Sequence, residues 1–371
     1  MKIFVIYAKA GAGHQKAAEA LLKAYEKKGG DKNVELFDAL DYTNPFFKWA
    51  YNATYLFLIT YLPLIWGFFY YLLDIPFIYW IVCPLRSWLN FVNSNRLRKK
   101  IVAEQPDAVI SVHFFASQVI ARLISKGLSK TKLITVLTDF LPHAFWVNEG
   151  THFYCVATSK TKEALIERGV NQQRIRVLGI PIGPEFLEEN DKFLLRKKFN
   201  FEKEKFLILI VSGGFGVGPV EKMLRILDKS KLNIELAVVC GRNPLLLERL
   251  KKIDFRKKIT VFGFVDNMHQ LMKASDVIIT KSGGMTVTEA LASKLPMIIV
   301  RPVPGQETRN CFVVTQNQAA IKVKKLGALE AIIAKMAEGN VRQVYIESIE
   351  ALARPQSAFE IVKFVNETLD K

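Results

Sequence analysis

The stretch TKSGGMTVTEALASKLPMIIV (280–300) reads as a strand, a Ser-Gly-Gly turn and a helix in succession. Bare amides in such a turn, the hydroxyls of Thr286 and Thr288 and the positive end of the helix suit a diphosphate held without a metal. Glu289 lies one turn into that helix, where it can accept hydrogen bonds from ribose hydroxyls; its plainer role is that of an acid favoured in a first helical turn. Further on, RPVPGQETRN (301–310) gathers Gln306, Glu307 and Asn310 into a loop stiffened by prolines. Paired amide and carboxylate groups of this kind suit sugar hydroxyls, with a solvated loop as the dull alternative. Near the N-terminus, AKAGAGHQKA sets Gly11 and Gly13 between a strand and a helix, followed by His14. An imidazole titrating near pH 6.5 can take a proton from a hydroxyl at working pH, or simply anchor the loop. Asp139, at the end of a later strand, is a second candidate, as base or as the group that orients His14.

Other chemistries are disfavoured. A dinucleotide fingerprint needs a third glycine where this chain has Lys16. SGGFGVGP (212–219), which contains Gly214, lacks the Lys-Ser/Thr ending of a P-loop. No Asp-x-Asp is present to hold a divalent metal on a diphosphate, so neither metal nor cofactor is expected. Cys83, Cys155, Cys240 and Cys311 form no CxxC pair, which argues against a zinc site or disulfide framework and fits a reducing cytoplasm.

The elements that must position these groups alternate between strand and helix. Strand patterns fall at 3–8, 34–38, 108–112, 132–139, 153–158 and 175–180, with helical patterns at 14–28 and 160–169. The rhythm restarts at 206–214, 234–241, 259–264, 276–280 and 297–300. Short β-branched runs separated by helices predict parallel sheets covered on both faces, the α/β class. Residues 1–184 form one expected domain and 206–356 the other, joined by a charged linker at 185–205. A C-terminal helix at about 357–371 is expected to pack back on the first. Ligands would then bind in a cleft at the strand C-termini.

The segments KSGGMTVTEAL (281–291), PVPGQETRN (302–310), VVCGRN (238–243) and VFGFVDNM (261–268) resemble the donor domain of GT-B glycosyltransferases. The family is the one containing diacylglycerol glycosyltransferases and monogalactosyldiacylglycerol synthases. In the first half GAGH (11–14), TDFLPHAFWV (138–147) and GIPIGPEF (179–186) match as well. The resemblance implies two Rossmann-like domains facing a cleft, and inverting transfer of glucose or galactose from a UDP-sugar to diacylglycerol. It assigns Ser282, Gly283, Gly284 and Thr286 to the diphosphate, with Arg242 and Gly214 nearby, and Glu289 to the ribose. Phe262 to Val265 would flank the uracil, and Gln306, Glu307 and Asn310 would bind the sugar. His14 becomes the leading base, while Gly11, Gly13, His143 and Trp146 fall on the acceptor side. His152 stands where the family usually has an aspartate, and so does Gly183.

One region fits neither sheet. Trp49 to Leu73 is a run of 25 uncharged residues, long enough by itself to span a bilayer. Strands before and after it belong to one sheet, so a lone crossing would divide that sheet. Two crossings need about 40 apolar residues plus a turn, and Trp49 to Leu85 offers 37, interrupted by Asp74, Pro63 and Pro76. Trp49, Tyr55, Trp66 and Trp80 are rings suited to the headgroup level, and Arg96, Arg98, Lys99 and Lys100 follow closely. Aromatic contact plus basic charge predicts peripheral attachment to anionic lipid at the cytoplasmic face. The formal net charge of +17, from 52 basic and 35 acidic residues, agrees. Two alternatives are a polyprenyl-linked acceptor, as in lipid II synthesis, and a basic nucleic-acid-binding or scaffold protein. The donor-loop cluster at 282–310 weighs against the latter, and no nucleic-acid partner is expected.

Overall fold

The computed structural model describes residues 1–9, 11–28, 30, 32–214, 216 and 218–370. Ala10 of the first glycine loop, Phe215 and Val217 of the second, and Lys371 of the expected C-terminal helix lie outside the described residues. The chain divides into two compact units. The first comprises Met1–Pro184, Pro304–Gln306 and Arg354–Lys371; the second comprises Glu185–Val303 and Glu307–Ala353.

In the first unit β1 (Lys2–Tyr7), α1 (Gly13–Lys28) and β2 (Asn33–Asp38) open the chain. Helices α2 (Pro45–Tyr61), α3 (Pro63–Leu72), α4 (Pro76–Asn93) and α5 (Asn95–Glu104) then precede β3 (Ala108–Ser111), α6 (Phe114–Ser125) and β4 (Lys132–Val136). The unit continues with β5 (Phe153–Val156), α7 (Ser159–Ile166) and β6 (Ile175–Val177). Its sheet is parallel in the order β2-β1-β3-β4-β5-β6. Phe4, Ile6, Val109 and Leu133 on the strands pack with Leu97, Ile101 and Phe115 on the helices. Strands buried on both faces read as continuous apolar runs, which is why their positions were legible and their ends less so.

The second unit begins with α8 (Lys192–Lys198), β7 (Phe206–Val211), α9 (Val220–Asp228), β8 (Ile234–Val239) and α10 (Pro244–Lys251). It continues through β9 (Ile259–Phe262), α11 (Met268–Ala274), β10 (Val277–Thr280), α12 (Gly284–Ala292), β11 (Met297–Val300) and α13 (Gln306–Gln316). It ends with β12 (Ala320–Val323), α14 (Leu329–Ala337) and α15 (Gly339–Leu352). The strand order is β12-β11-β10-β7-β8-β9, again parallel. The edge strand β12 had no counterpart in the sequence reading, because AIKV is short, with Ile321 only partly buried and Lys322 exposed.

Residues 185–205, read above as a linker, are structured within this unit. Arg196 of α8 is 4% exposed and donates to Asp276 at 2.6 Å and to the Ala274 carbonyl at 3.0 Å. A buried guanidinium is hidden from a composition argument, which counts it as a surface charge. The last helix, α16 (Ser357–Leu369), packs along α1, and Ser357 Oγ donates to the Ile180 carbonyl at 2.6 Å.

The uncharged stretch falls in two helices, α2 and α3, and these and the following α4 are each opened by a proline at the first turn: Pro45, Pro63 and Pro76. Among the described residues no single helix is long and apolar enough to cross a membrane; α2 and α3 pass that test only as a pair bent by 114°. The bend has a local cause, since Pro63 has no N–H to continue the ladder of α2. Trp49, Leu64, Phe77 and Trp80 are each at least 66% exposed, a concentration of apolar surface that monomeric folds rarely leave open.

Candidate active site

Each sheet reverses its strand order once, between β1 and β3 and between β7 and β10. Loops leaving neighbouring strands diverge there, and open α/β sheets place ligands at such points. The candidate residues gather at these two positions.

At the first, His14 stands in the opening turn of α1, just after the glycine loop. Its Nδ1 lies 2.9 Å from the Val112 carbonyl and 3.0 Å from Thr138 Oγ1. A carbonyl only accepts, so Nδ1 carries the proton and the Nε2 lone pair is left for chemistry. Thr138 and Val112 orient this nitrogen, and Asp139, next to Thr138 in the chain, is 7% exposed. The His14 ring packs against His113 (centroids 4.5 Å apart) and Trp146 (6.4 Å). Desolvation among these rings lowers its pKa to about 4, against the opposing pull of the Val112 carbonyl. At neutral pH the imidazole is uncharged, the form a base requires. His113 was not singled out from the sequence. It caps α6, its Nδ1 accepting from the Phe115 amide at 3.1 Å.

Two expected acceptor-side residues have other roles. Trp146 is 2% exposed and packs with Leu137, Tyr154 and Val156 in a small core. His143 is 3% exposed; its Nδ1 accepts from the Phe145 amide and its Nε2 donates to the Tyr70 carbonyl at 2.8 Å. Both are buried in the loop that packs on His14. The basic cluster is likewise divided. Arg96 and Lys99 are exposed, but Arg98 stacks on Phe91 at 3.8 Å. Lys100 pairs with Glu35 and Glu104, both at 2.8 Å, and its side chain is 15% exposed. Tyr55 and Trp66 pack edge to face, 5.4 Å between centroids, and are half-buried, unlike Trp49 and Trp80.

At the second position Gly283 caps α12 with no side-chain hydrogen bond, so the first-turn amides have no capping side chain. A Cβ on Gly283 would meet nothing within 4 Å, and the Gly284 backbone follows directly. This is an anion cradle made of backbone. Thr286 is half-buried at its side. Ser282, expected to join the cradle, faces the other way. It is fully buried, and its Oγ donates to the Glu307 carbonyl at 2.6 Å. Asn310, also fully buried, donates to the Ser282 carbonyl at 3.1 Å. The two side chains brace the turn against α13. Glu289 is 5% exposed on the inner side of α12.

Glu307 Oε2 accepts from the Val303 amide at 2.7 Å. Desolvation raises its carboxyl above the ordinary range, while that amide and the charge of Lys281 pull the other way. Gln306 groups with the first unit and Glu307 with the second. Gly214 and Arg242 belong to two touching loops: the Arg242 amide donates to the Gly214 carbonyl at 2.9 Å. Gly241 has φ +59, and a Cβ there would lie 2.7 Å from that same carbonyl, so glycine is required. The Arg242 guanidinium lies over Phe264 at 5.0 Å, both exposed, with Val265 next in the chain. The ring of Phe262, by contrast, packs on Phe199 and Phe201.

Sequence reasoning passed over Lys281. Its Cε would sit 3.9 Å, and Ser212 Oγ 3.5 Å, from a Cβ placed on Gly218. An ammonium thus stands between the glycine-rich loop after β7 and the uncapped end of α12. The available signal was a lysine at the last step before the Ser-Gly-Gly turn.

Two parallel six-stranded units, one with a desolvated imidazole and one with an uncapped helix N-terminus after a Ser-Gly-Gly turn, have the GT-B architecture. Known proteins agree. Residues 14–182 match the monogalactosyldiacylglycerol (MGDG) synthase family, and residues 208–347 match the glycosyltransferase family 28 C-terminal domain. The chain is 30% identical over 369 residues to a processive diacylglycerol β-glucosyltransferase of Bacillus cytotoxicus, covering 99% of this chain and 93% of that one. A protein of the same name from Bacillus licheniformis is 31% identical, covering 87% and 83%. The chain belongs to the diacylglycerol β-glucosyltransferase family. Among solved structures, Acinetobacter baumannii MurG superposes with a TM-score of 0.64 at 14% identity, over 99% of each chain. A UDP-GlcNAc 2-epimerase from Neisseria meningitidis, bound to UDP-GlcNAc, gives 0.62 at 14%, covering 100% and 99%. An epimerase shares this fold, so the reaction has to be argued from the site.

Proposed function

We propose that this protein transfers glucose from UDP-glucose to the free hydroxyl of diacylglycerol, giving a β-glucosyldiacylglycerol. The observation that carries the reading is the pairing of a neutral, oriented His14 with an uncapped α12 N-terminus, within a chain related along its length to diacylglycerol β-glucosyltransferases. His14 Nε2 removes the acceptor proton as the acceptor oxygen attacks the anomeric carbon. The bond from that carbon to the diphosphate oxygen breaks, and its electron pair leaves with UDP. A single displacement through an oxocarbenium-like state inverts the α-linked sugar. With a pKa of about 4, His14 is a weak base. Proton transfer therefore accompanies C–O bond formation, when the hydroxyl has become acidic.

The amides of Gly283, Gly284 and Met285, with Lys281 and Arg242, stabilise the departing diphosphate without a metal ion. Glu289 holds the ribose, Phe264 and Val265 flank the uracil, and Gln306 and Glu307 hold the sugar. The exposed rings of the insert, with Arg96 and Lys99, attach the enzyme to anionic lipid at the cytoplasmic face, where diacylglycerol resides. The test is a radiolabelled transfer assay comparing UDP-glucose with UDP-galactose on diacylglycerol vesicles, read by lipid chromatography. Glucose should be the transferred sugar; labelled lipid from UDP-galactose alone would overturn the choice of donor.

A further inference from the structure

Asp74 is the one charged residue between Trp49 and Leu85, in the turn between α3 and α4, and it is 8% exposed. A carboxylate in an apolar hairpin is costly unless its oxygens are satisfied. Here Oδ1 accepts from the Ala144 amide at 2.7 Å, and Oδ2 pairs with Arg168 Nη2 at 2.7 Å. His143 supports the same junction, its Nε2 lying 3.9 Å from Oδ1 while it donates to the Tyr70 carbonyl of α3. Ala144 opens the short 3-10 turn that ends at Trp146, whose ring packs on His14. The other end of this loop supplies Thr138, which contacts His14 Nδ1. A side chain of the insert thus grips the loop that encloses the imidazole on both sides.

We propose that Asp74 is a positioning residue for the transfer reaction: from the turn of the insert it fixes the Ala144 amide, and through the Ala144–Trp146 turn it sets the packing around His14. The insert is then part of the catalytic apparatus as well as an apolar surface. The proposal rests on His14 being the base. It separates the two partners of Asp74. Ala144 carries the positional effect, whereas Arg168, with 24% of its side chain exposed, compensates charge. The charged or titratable neighbours are His113 beside His14, Arg86 acting on His113, and His143 and Arg168 beside Asp74.

The experiment compares Asp74→Ala, Asp74→Asn and His14→Ala in the full chain. Turnover on diacylglycerol vesicles is measured together with the His14 ring titration by NMR. Asp74→Ala removes the acceptor for Ala144 and should lower kcat by about 10²-fold, the scale of a misplacement near 1 Å, with KM for UDP-glucose within about twofold. The His14 midpoint should rise from about 4 toward its ordinary 6.5 as Trp146 recedes. Asp74→Asn keeps an oxygen to accept from Ala144 and should stay within about threefold of the parent, since the bond that sets the position of the turn survives, though weakened. Equal losses in Asp74→Ala and Asp74→Asn would overturn the proposal in favour of a simple ion pair. An unchanged midpoint and kcat in Asp74→Ala, with His14→Ala inactive, would overturn it while leaving His14 as the base. Full activity of His14→Ala would instead remove the reading on which it rests. If Asp74→Ala does not fold, as judged by far-UV circular dichroism, Ala144→Pro deletes the donor of the same bond. His143 already has the extended backbone that precedes proline (φ −93°, ψ 157°), and the same two readouts then decide.

Discussion

The two strand-order reversals use one backbone device for two opposite purposes. After β1 and after β10 the chain passes through glycines into a helix N-terminus, a place where backbone amides can meet a ligand. In the first unit the next side chain is an imidazole, packed by rings until it stays neutral. In the second unit the side chains turn away to brace the loop, leaving backbone amides and a lysine. In the proposed reaction the same geometry serves proton removal where aromatic packing excludes charge, and anion binding where polar side chains are withdrawn. What distinguishes the sites is the desolvation of a few residues, since the topology is shared.

This comparison can be broken by separating turnover from nucleotide binding. His14→Ala should lower turnover by roughly 10²–10⁴-fold, the usual range for a general base, and leave UDP affinity unchanged in calorimetry. A loss below tenfold would reduce His14 to a structural role. Glu307→Ala should lose sugar transfer by roughly 10²-fold or more while still binding UDP, as the proposed assignment of its carboxylate to the sugar requires. Near-normal turnover there would remove the sugar assignment.

Lys281→Met should weaken UDP by about tenfold or more and leave uridine affinity alone, as expected for a charged contact to phosphate. Equal affinity for UDP in parent and variant would confine the cradle to backbone. The smallest effect sharpens the contrast. Ser282→Ala should cost about 1 kcal/mol of stability, the net value of one buried hydrogen bond, with little change in UDP binding.

Stability against pH offers an independent reading of the first site. Burial lowers His14 to about 4 and also lowers His113, against an ordinary value of 6.5. Below pH 6.5 the unfolded chain therefore binds protons that the folded chain refuses, and stability falls as pH drops toward 4. Urea midpoints of both the parent and His14→Gln should fall in acid, the variant's less steeply because only His113 remains lowered. Identical acid sensitivity would contradict the desolvated imidazole.

Much of this was legible in the residues. The strand rhythm located every strand except β12, because fully buried parallel strands leave unbroken apolar runs. His14 and the Gly283–Gly284 turn were legible because backbone-driven anion sites need glycine at fixed places. Side-chain direction was not. Ser282, Asn310 and Trp146 sit in motif positions yet point into the interior, and no spacing rule says which way a turn residue faces. Lys100 and Arg196 were counted as free charges because their partners, Glu35 and Asp276, are distant in sequence. Asp74 looked like an interruption of an apolar run, and only the fold supplies Ala144 and Arg168 around it.

The account turns on a metal-free transfer initiated by one neutral imidazole. Its most direct test is the formation of labelled lipid from radiolabelled UDP-glucose and diacylglycerol vesicles in excess chelator, by the parent and by His14→Ala. The account predicts β-glucosyldiacylglycerol from the parent at the rate seen without chelator, and at most about one hundredth of it from His14→Ala. Loss of product on chelation, or equal product from both proteins, would contradict it.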